Sequence, residues 1–161
     1  MLTDEATERE LRALYDETEA LLEGNSCALS GDCCHFANEG EPYPTPAELA
    51  LVFEALRKKG ITLAPAKRVR GGKHLPVVAG DRRCPILGHD GRCRIYEDRP
   101  FGCRTFFCER RTGPGKLPRK EIVDLGRRIA AVSARAFPRD PQPRPLVRAL
   151  EEGAARLHRG R

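Results

Sequence analysis

Residues 84–108 read CPILGHDGRCRIYEDRPFGCRTFFC, and residues 25–36 read NSCALSGDCCHF. These two stretches, called here the second and the first cysteine segment, hold all seven cysteines of the chain: Cys27, Cys33, Cys34, Cys84, Cys93, Cys103 and Cys108. Residues 1–10 lack the apolar segment of a secretory signal, and no apolar run reaches the length of a membrane span. We therefore expect a cytoplasmic protein with no membrane partner. There thiols stay reduced, and clustered cysteines serve metals more often than disulfides.

All seven cysteines are candidate metal ligands. Thiolate sulfur is a soft, charged ligand that suits both zinc and iron–sulfur clusters. The dense all-cysteine set with an adjacent pair, Cys33 and Cys34, favours an iron–sulfur cluster slightly over zinc. Adjacent side chains tend to point apart, so the pair could serve two metals or a multi-metal cluster. Alternatively, one member binds the metal and the other packs as a small apolar group, supports a ligand or is redox-active. His35 and His89 stand nearby, but lone histidines have many other roles, and we expect neither to be a ligand.

Helical patterns flank and separate the cysteine segments. Apolar residues at helical spacing predict an amphipathic helix over residues 4–23 and further helices over about 119–136 and 146–158. Thr45-Pro46-Ala47-Glu48 offers an N-cap, a proline at the first helical position and a capping-box glutamate. This motif predicts a second helix that begins at Thr45 and ends at Gly60.

The second cysteine segment carries a turn at Gly88-His89-Asp90-Gly91 between two short stretches, which predicts a β-hairpin that brings Cys84 and Cys93 together. The expected fold is mainly α with irregular cysteine-rich loops and a short β-hairpin. We expect one small metal-stapled domain over residues 1–161, with a metal-binding core over residues 27–108. Residues 138–161 are expected to form a proline-rich spacer and a C-terminal helix.

The charge of the chain is unevenly distributed. Residues 1–50 carry 12 acidic residues against two arginines, a net charge of −10, whereas residues 51–161 carry 27 basic against 11 acidic residues, a net charge of +16. The two parts could attract each other within the fold, or the basic part could bind nucleic acid or an acidic protein. Scattered charge is most often a solvated surface, and this is the interpretation that we favour from the sequence. P-loop, HExxH and GxSxG patterns are absent, so the sequence names no reaction and leaves open whether the protein is an enzyme.

In this order the two segments resemble the YkgJ-type cysteine-cluster family, whose CxxCxxCC motif is associated with zinc or iron chelation. The second segment shares cysteine, short hairpin, cysteine, Ile-Tyr, Arg-Pro and then Cys-Arg, and the resemblance covers roughly residues 27–108. It implies metal binding through eight cysteine positions, which fall on the seven cysteines and on Ser30. Because a serine hydroxyl is a poor ligand near neutral pH, we expect the cysteines alone to build the site.

The function expected from the sequence is metal chelation, with an iron–sulfur cluster or zinc as the cofactor. The alternative is a zinc-stapled interaction module whose basic surface binds nucleic acid or an acidic protein.

Overall fold

The computed structural model describes residues 4–23, 31–36, 40–63, 83–105 and 118–159. Its helices, in chain order, are α1 (Glu5–Leu21), α2 (Pro46–Lys58), α3 (Phe101–Arg104), α4 (Arg119–Ala136) and α5 (Leu146–Arg159), with 3₁₀ turns at Asp32–Cys34 and Tyr96–Asp98. The fold is mainly helical, as predicted, and the four longer helices lie where the sequence pattern indicates them. The sequence gives no sign of α3 or the 3₁₀ turns, because elements of three or four residues are too short to show a hydrophobic period.

Side-chain caps fix where the first two long helices begin. At α1, the Asp4 carboxylate accepts a hydrogen bond of 2.9 Å from the backbone N–H of Thr7. At α2 the predicted capping box is present: the Thr45 N–H donates to Glu48 Oε2 at 2.8 Å, and the Glu48 N–H donates to Thr45 Oγ1 at 3.4 Å. Both caps satisfy N–H groups that have no partner within the helix.

Helix α2 is buried on two opposite sides and separates two apolar clusters. The helical cluster joins α1, α2 and α4, and consists of Leu11, Leu14, Tyr15, Ala47, Ala50, Leu51, Leu125, Ile129, Val132 and Phe137. The cysteine-side cluster joins the other side of α2 to α5 and both cysteine segments, and consists of Phe36, Leu49, Val52, Ala55, Leu56, Leu63, Cys84, Ile86, Ile95, Leu146, Ala149, Leu150 and Ala154. Helix α2 is thus the wall against which the cysteine segments pack.

The start of α5 is anchored to the chain that precedes α2. The N–H of Leu146 donates to the carbonyl of Pro42 at 3.0 Å, and the N–H of Arg144 donates to that of Pro44 at 3.1 Å. The Glu41 carboxylate accepts from the N–H of Val147 at 2.8 Å. An acidic group is favourable at this end of a helix, where backbone N–H groups point outward.

The predicted hairpin of the second cysteine segment is not confirmed. Leu87 and Cys93 form an isolated antiparallel bridge, and the N–H of Gly88 donates to the carbonyl of Arg92 at 2.8 Å. Within the described ranges the structure has no β-strand. The neighbouring Pro85 gives a physical reason, because proline has no N–H to extend a ladder of strand hydrogen bonds.

Ion pairs between α1 and α4 account for part of the charge asymmetry. Arg128 and Arg135 of α4 lie 2.7 Å from Glu17 and Glu10 of α1, respectively. Acidic side chains of the N-terminal part therefore pair with basic side chains from the rest of the chain, as expected if the two parts attract each other within the fold.

In the part of the chain that the structure describes, no helix has both the length and the apolar character needed to cross a membrane.

Candidate metal centre

A cavity of about 240 Å³ lies between the two cysteine segments. All five cysteines of the described residues line it: Cys33, Cys34, Cys84, Cys93 and Cys103. The rest of its wall is mainly apolar, with contributions from Phe36, Pro42, Ile86, Ile95, Pro100 and Leu146, and it also includes Arg92, Tyr96 and Arg99. None of the five cysteines forms a disulfide. Cys27, Cys108 and Ser30 lie outside the described residues.

The first cysteine segment presents its adjacent pair from a tight turn. The 3₁₀ turn Asp32–Cys34 is closed by a 2.8 Å hydrogen bond from the N–H of Cys34 to the carbonyl of Gly31. The sulfurs of Cys33 and Cys34 are only 4.0 Å apart, so the expectation that adjacent side chains diverge is wrong here. In a tetrahedral zinc site with Zn–S bonds of about 2.3 Å, two sulfurs are separated by about 3.8 Å. The pair is therefore spaced as two ligands of one centre would be.

The two cysteine segments meet backbone to backbone. The N–H of Cys84 donates to the carbonyl of Cys34 at 2.8 Å, and an isolated antiparallel bridge joins His35 to Arg83. Gly31 has a φ of +74°, and a Cβ added there would lie 2.2 Å from the carbonyl oxygen of Gly91. Only glycine tolerates both the left-handed backbone and this approach. The contact between the segments therefore depends on the absence of a side chain at Gly31.

Cys103 reaches the cavity from α3, whose position is set by a buried carboxylate. Glu48, only 3% exposed, accepts hydrogen bonds at Oε1 from the N–H of Phe101 at 2.7 Å and from the hydroxyl of Tyr15 at 3.2 Å. Its Oε2 accepts from the N–H of Thr45 at 2.8 Å and from the Thr45 hydroxyl at 2.9 Å. Glu48 thus fixes the start of the cysteine-bearing α3 against α1 and α2.

The sequence predicts the contact of Glu48 with Thr45 but not the contacts of Glu48 with distant residues. Glu48 is recognisable as the capping-box residue of α2, because Thr45 and Glu48 are three positions apart. Its contacts with Tyr15 and Phe101 join distant parts of the chain and have no local signature.

Four thiols of the cavity, those of Cys33, Cys34, Cys93 and Cys103, have raised pKa values. The hydrogen bond with Cys34, together with burial, raises the pKa of Cys33, and burial raises the pKa values of Cys93 and Cys103. At Cys34 the hydrogen bond with Cys33 lowers the pKa, but the hydrogen bond with Cys84 and burial outweigh it and raise the pKa to about 12. A bound metal cation would supply the positive charge that stabilises thiolates at such a site.

Arg99 brings positive charge to the cavity wall. Its guanidinium carbon lies 3.8 Å from the centre of the Tyr96 ring, and its Nη2 donates to Glu19 Oε1 at 3.4 Å. The charge of Arg99 partly counteracts the rise in the pKa values of Cys33 and Cys93. Its Nε is buried, and none of the residues that the structure describes accepts a hydrogen bond from it. An unsatisfied buried donor costs about 1–3 kcal/mol, so this one calls for a functional explanation.

The two histidines near the cysteines do not line the cavity. His35 joins Arg83 through the backbone bridge, and His89 is exposed at the turn of the second segment. Among the described residues, no group of three or more His, Cys, Asp or Glu side chains stands close enough together to hold a metal ion. The five thiols face one space, and as soft donors in a largely apolar wall they fit zinc or an iron–sulfur cluster.

Comparison with known proteins places the chain in a family. The family model CxxCxxCC, described as a "putative zinc- or iron-chelating domain", matches residues 25–120, more than half of the chain. Neither the search of curated proteins nor the search of solved structures found a match. The chain belongs to the CxxCxxCC family, which confirms the resemblance seen in the motifs. The two metals in the family description agree with the predicted cofactors, an iron–sulfur cluster or zinc.

Proposed function

We propose that this member of the CxxCxxCC family binds its metal in the cavity between the two cysteine segments. The proposed ligands come from the cavity cysteines, which are Cys33, Cys34, Cys84, Cys93 and Cys103. Cys27 and Cys108 are included among the proposed ligands only because they belong to the sequence motif. The observation that carries the proposal is that cysteines from separate backbone elements converge on one space. Burial of cysteine as a small apolar residue explains one or two such positions, but it does not explain five.

Within this proposal an iron–sulfur cluster is favoured over a single zinc ion. Zinc contacts its four sulfurs at about 2.3 Å, so it needs almost no space beyond them. A cavity of about 240 Å³ has room for a centre of several irons and sulfides. More than four cysteines also line the cavity, whereas a single structural zinc uses four.

The alternative function, a zinc-stapled module whose basic surface binds nucleic acid or an acidic protein, has less support. Such binding needs arginine and lysine side chains that are available to phosphates or carboxylates of a partner. Arg128 and Arg135, which belong to the basic part of the chain, already pair with glutamates of α1. We therefore do not carry this alternative further.

Metal analysis of the protein purified without oxygen or chelator tests the proposal. Zinc, iron and acid-labile sulfide are measured per chain, together with the visible absorption spectrum. Iron with sulfide and a visible band that bleaches on reduction is the expected result. Zinc in a colourless protein would support the proposed metal site but contradict the iron–sulfur cluster. Protein that is folded but holds neither metal, and takes up neither on reconstitution, contradicts the proposal.

A further inference from the structure

Arg99 offers a hydrogen-bond donor, its Nε–H, that no group among the described residues accepts. The residue lines the cysteine cavity, and its side chain is only 12% exposed. One edge of the guanidinium is held by Glu19 and its face lies over the Tyr96 ring, so its orientation is fixed from two sides. Among its other donors, Nε–H is buried and has no hydrogen-bond partner among the described residues. The residue that carries this fixed, unpaired donor lines the cavity, which points to an acceptor that comes with the occupant of the cavity.

We propose that the Nε–H of Arg99 donates a hydrogen bond to sulfur in a metal–thiolate assembly of net negative charge. This inference rests on the proposed function. Several thiolates on one zinc ion, or on an iron–sulfur core, leave excess negative charge, which is costly inside a mainly apolar wall. A guanidinium beside the assembly offsets that charge, and a hydrogen bond to sulfur sets the electron density that the metal receives.

Two neighbouring arginines do not offer the same donor. Arg104 is buried, but its three nitrogens are already paired with Glu19 Oε1 and with the carbonyls of Arg99 and Glu97. Arg92 lines the cavity, but the residue is exposed to solvent. Among these three arginines, only Arg99 combines a position in the cavity wall, burial and an unpaired donor.

The substitution Arg99→Lys keeps the positive charge and removes the Nε–H and the planar group. Arg92→Lys is the matched control, because it makes the same exchange at an exposed position of the same wall. Wild type and both variants are titrated with cobalt(II), whose bonds to thiolate give a charge-transfer band. We expect Arg99→Lys to bind cobalt about 10–100-fold more weakly and to shift the band to lower energy, with Arg92→Lys unchanged. If the purified protein holds an iron–sulfur cluster, its reduction potential should fall in Arg99→Lys alone.

Folded Arg99→Lys with wild-type cobalt affinity and band position, or with the reduction potential of the wild-type cluster, overturns this inference and leaves the proposed function intact. A wild-type protein that binds no zinc, iron or cobalt overturns both. If Arg99→Lys does not fold, an NMR measurement on the wild-type protein tests the inference instead. The assigned Nε–H resonance of Arg99 should move downfield and exchange more slowly with solvent when cadmium is added, and an unchanged resonance overturns the inference.

Discussion

The two clusters on either side of α2 are built in different ways. In the helical cluster, long helices bury large apolar side chains such as Leu11 and Ile129 almost completely. On the cysteine side, the two cysteine segments contain no helix longer than α3 among their described residues, and single backbone hydrogen bonds such as that from Cys84 to Cys34 join them. A cavity remains between them. We infer that apolar burial holds the helical cluster, whereas the contact between the two cysteine segments depends on a metal in the cavity.

Removal of the metal should have the largest effect, and it should destabilise the cysteine side much more than the helical cluster. Metal binding supplies about 10 kcal/mol or more of folding free energy in small zinc domains. We expect a strong chelator to lower the melting temperature and to make the cavity thiols reactive, while much of the helical circular dichroism persists. Thiol titration and thermal melts with and without chelator measure this. An unchanged melt in protein shown to be free of metal would contradict the dependence of the cysteine side on metal.

Gly31→Ala should disrupt the contact between the cysteine segments. The left-handed backbone costs an alanine about 1–2 kcal/mol, and the clash with the Gly91 carbonyl adds about 1–3 kcal/mol. We expect the free energy of unfolding to fall by about 2–5 kcal/mol and the metal affinity to fall with it. Gly60→Ala is the control, since Gly60 has a φ of +63° but open space around its Cβ position. Equal losses of metal affinity in the two variants would show that the close approach is unimportant.

Glu48→Gln should weaken both regions at once, because Glu48 joins them. The amide retains one acceptor oxygen and turns an N–H₂ group towards Thr45 or towards Tyr15 and Phe101. We expect a loss of about 1–3 kcal/mol in the free energy of unfolding and weaker metal binding through the displacement of Cys103. Glu54→Gln on the same helix, which weakens the ion pairs of Glu54 with Arg57 and Lys58, should leave metal binding unchanged. Calorimetric melts and metal titrations of both variants check this, and wild-type metal affinity in Glu48→Gln would contradict the positioning role.

Arg135→Ala should have the smallest effect and should be confined to the helical side. Both Arg135 and Glu10 are more than half exposed, and such pairs contribute about 0.2–1 kcal/mol. We expect a slight decrease in stability that disappears in high salt, with metal content unchanged. Denaturant unfolding at two salt concentrations measures it. A loss of metal in this variant would mean that the two regions are more tightly coupled than their packing indicates.

The sequence predicts the helical region better than the cysteine region. The period of apolar residues and the Thr45–Glu48 capping box are local signals, and the long helices follow from them. The single metal-binding core expected over residues 27–108 also implies that the two cysteine segments meet. The contact of Gly31 with Gly91, the contacts of Glu48 with Tyr15 and Phe101, and the unpaired donor of Arg99 all join distant residues, so no local pattern announces them. The hairpin is predicted from its turn residues, but Pro85 limits its ladder.

The metal content of single-cysteine variants tests most directly whether the cysteines of the cavity build the metal centre. Cys34→Ala and Cys93→Ala, one from each segment, are purified in parallel with Ser30→Ala and wild type, without oxygen or chelator, and metal per chain is measured. We expect both cysteine variants to lose metal and Ser30→Ala to retain the wild-type amount. Full metal content in Cys34→Ala and Cys93→Ala, with loss in Ser30→Ala, would contradict a metal centre built from the cysteines of this cavity.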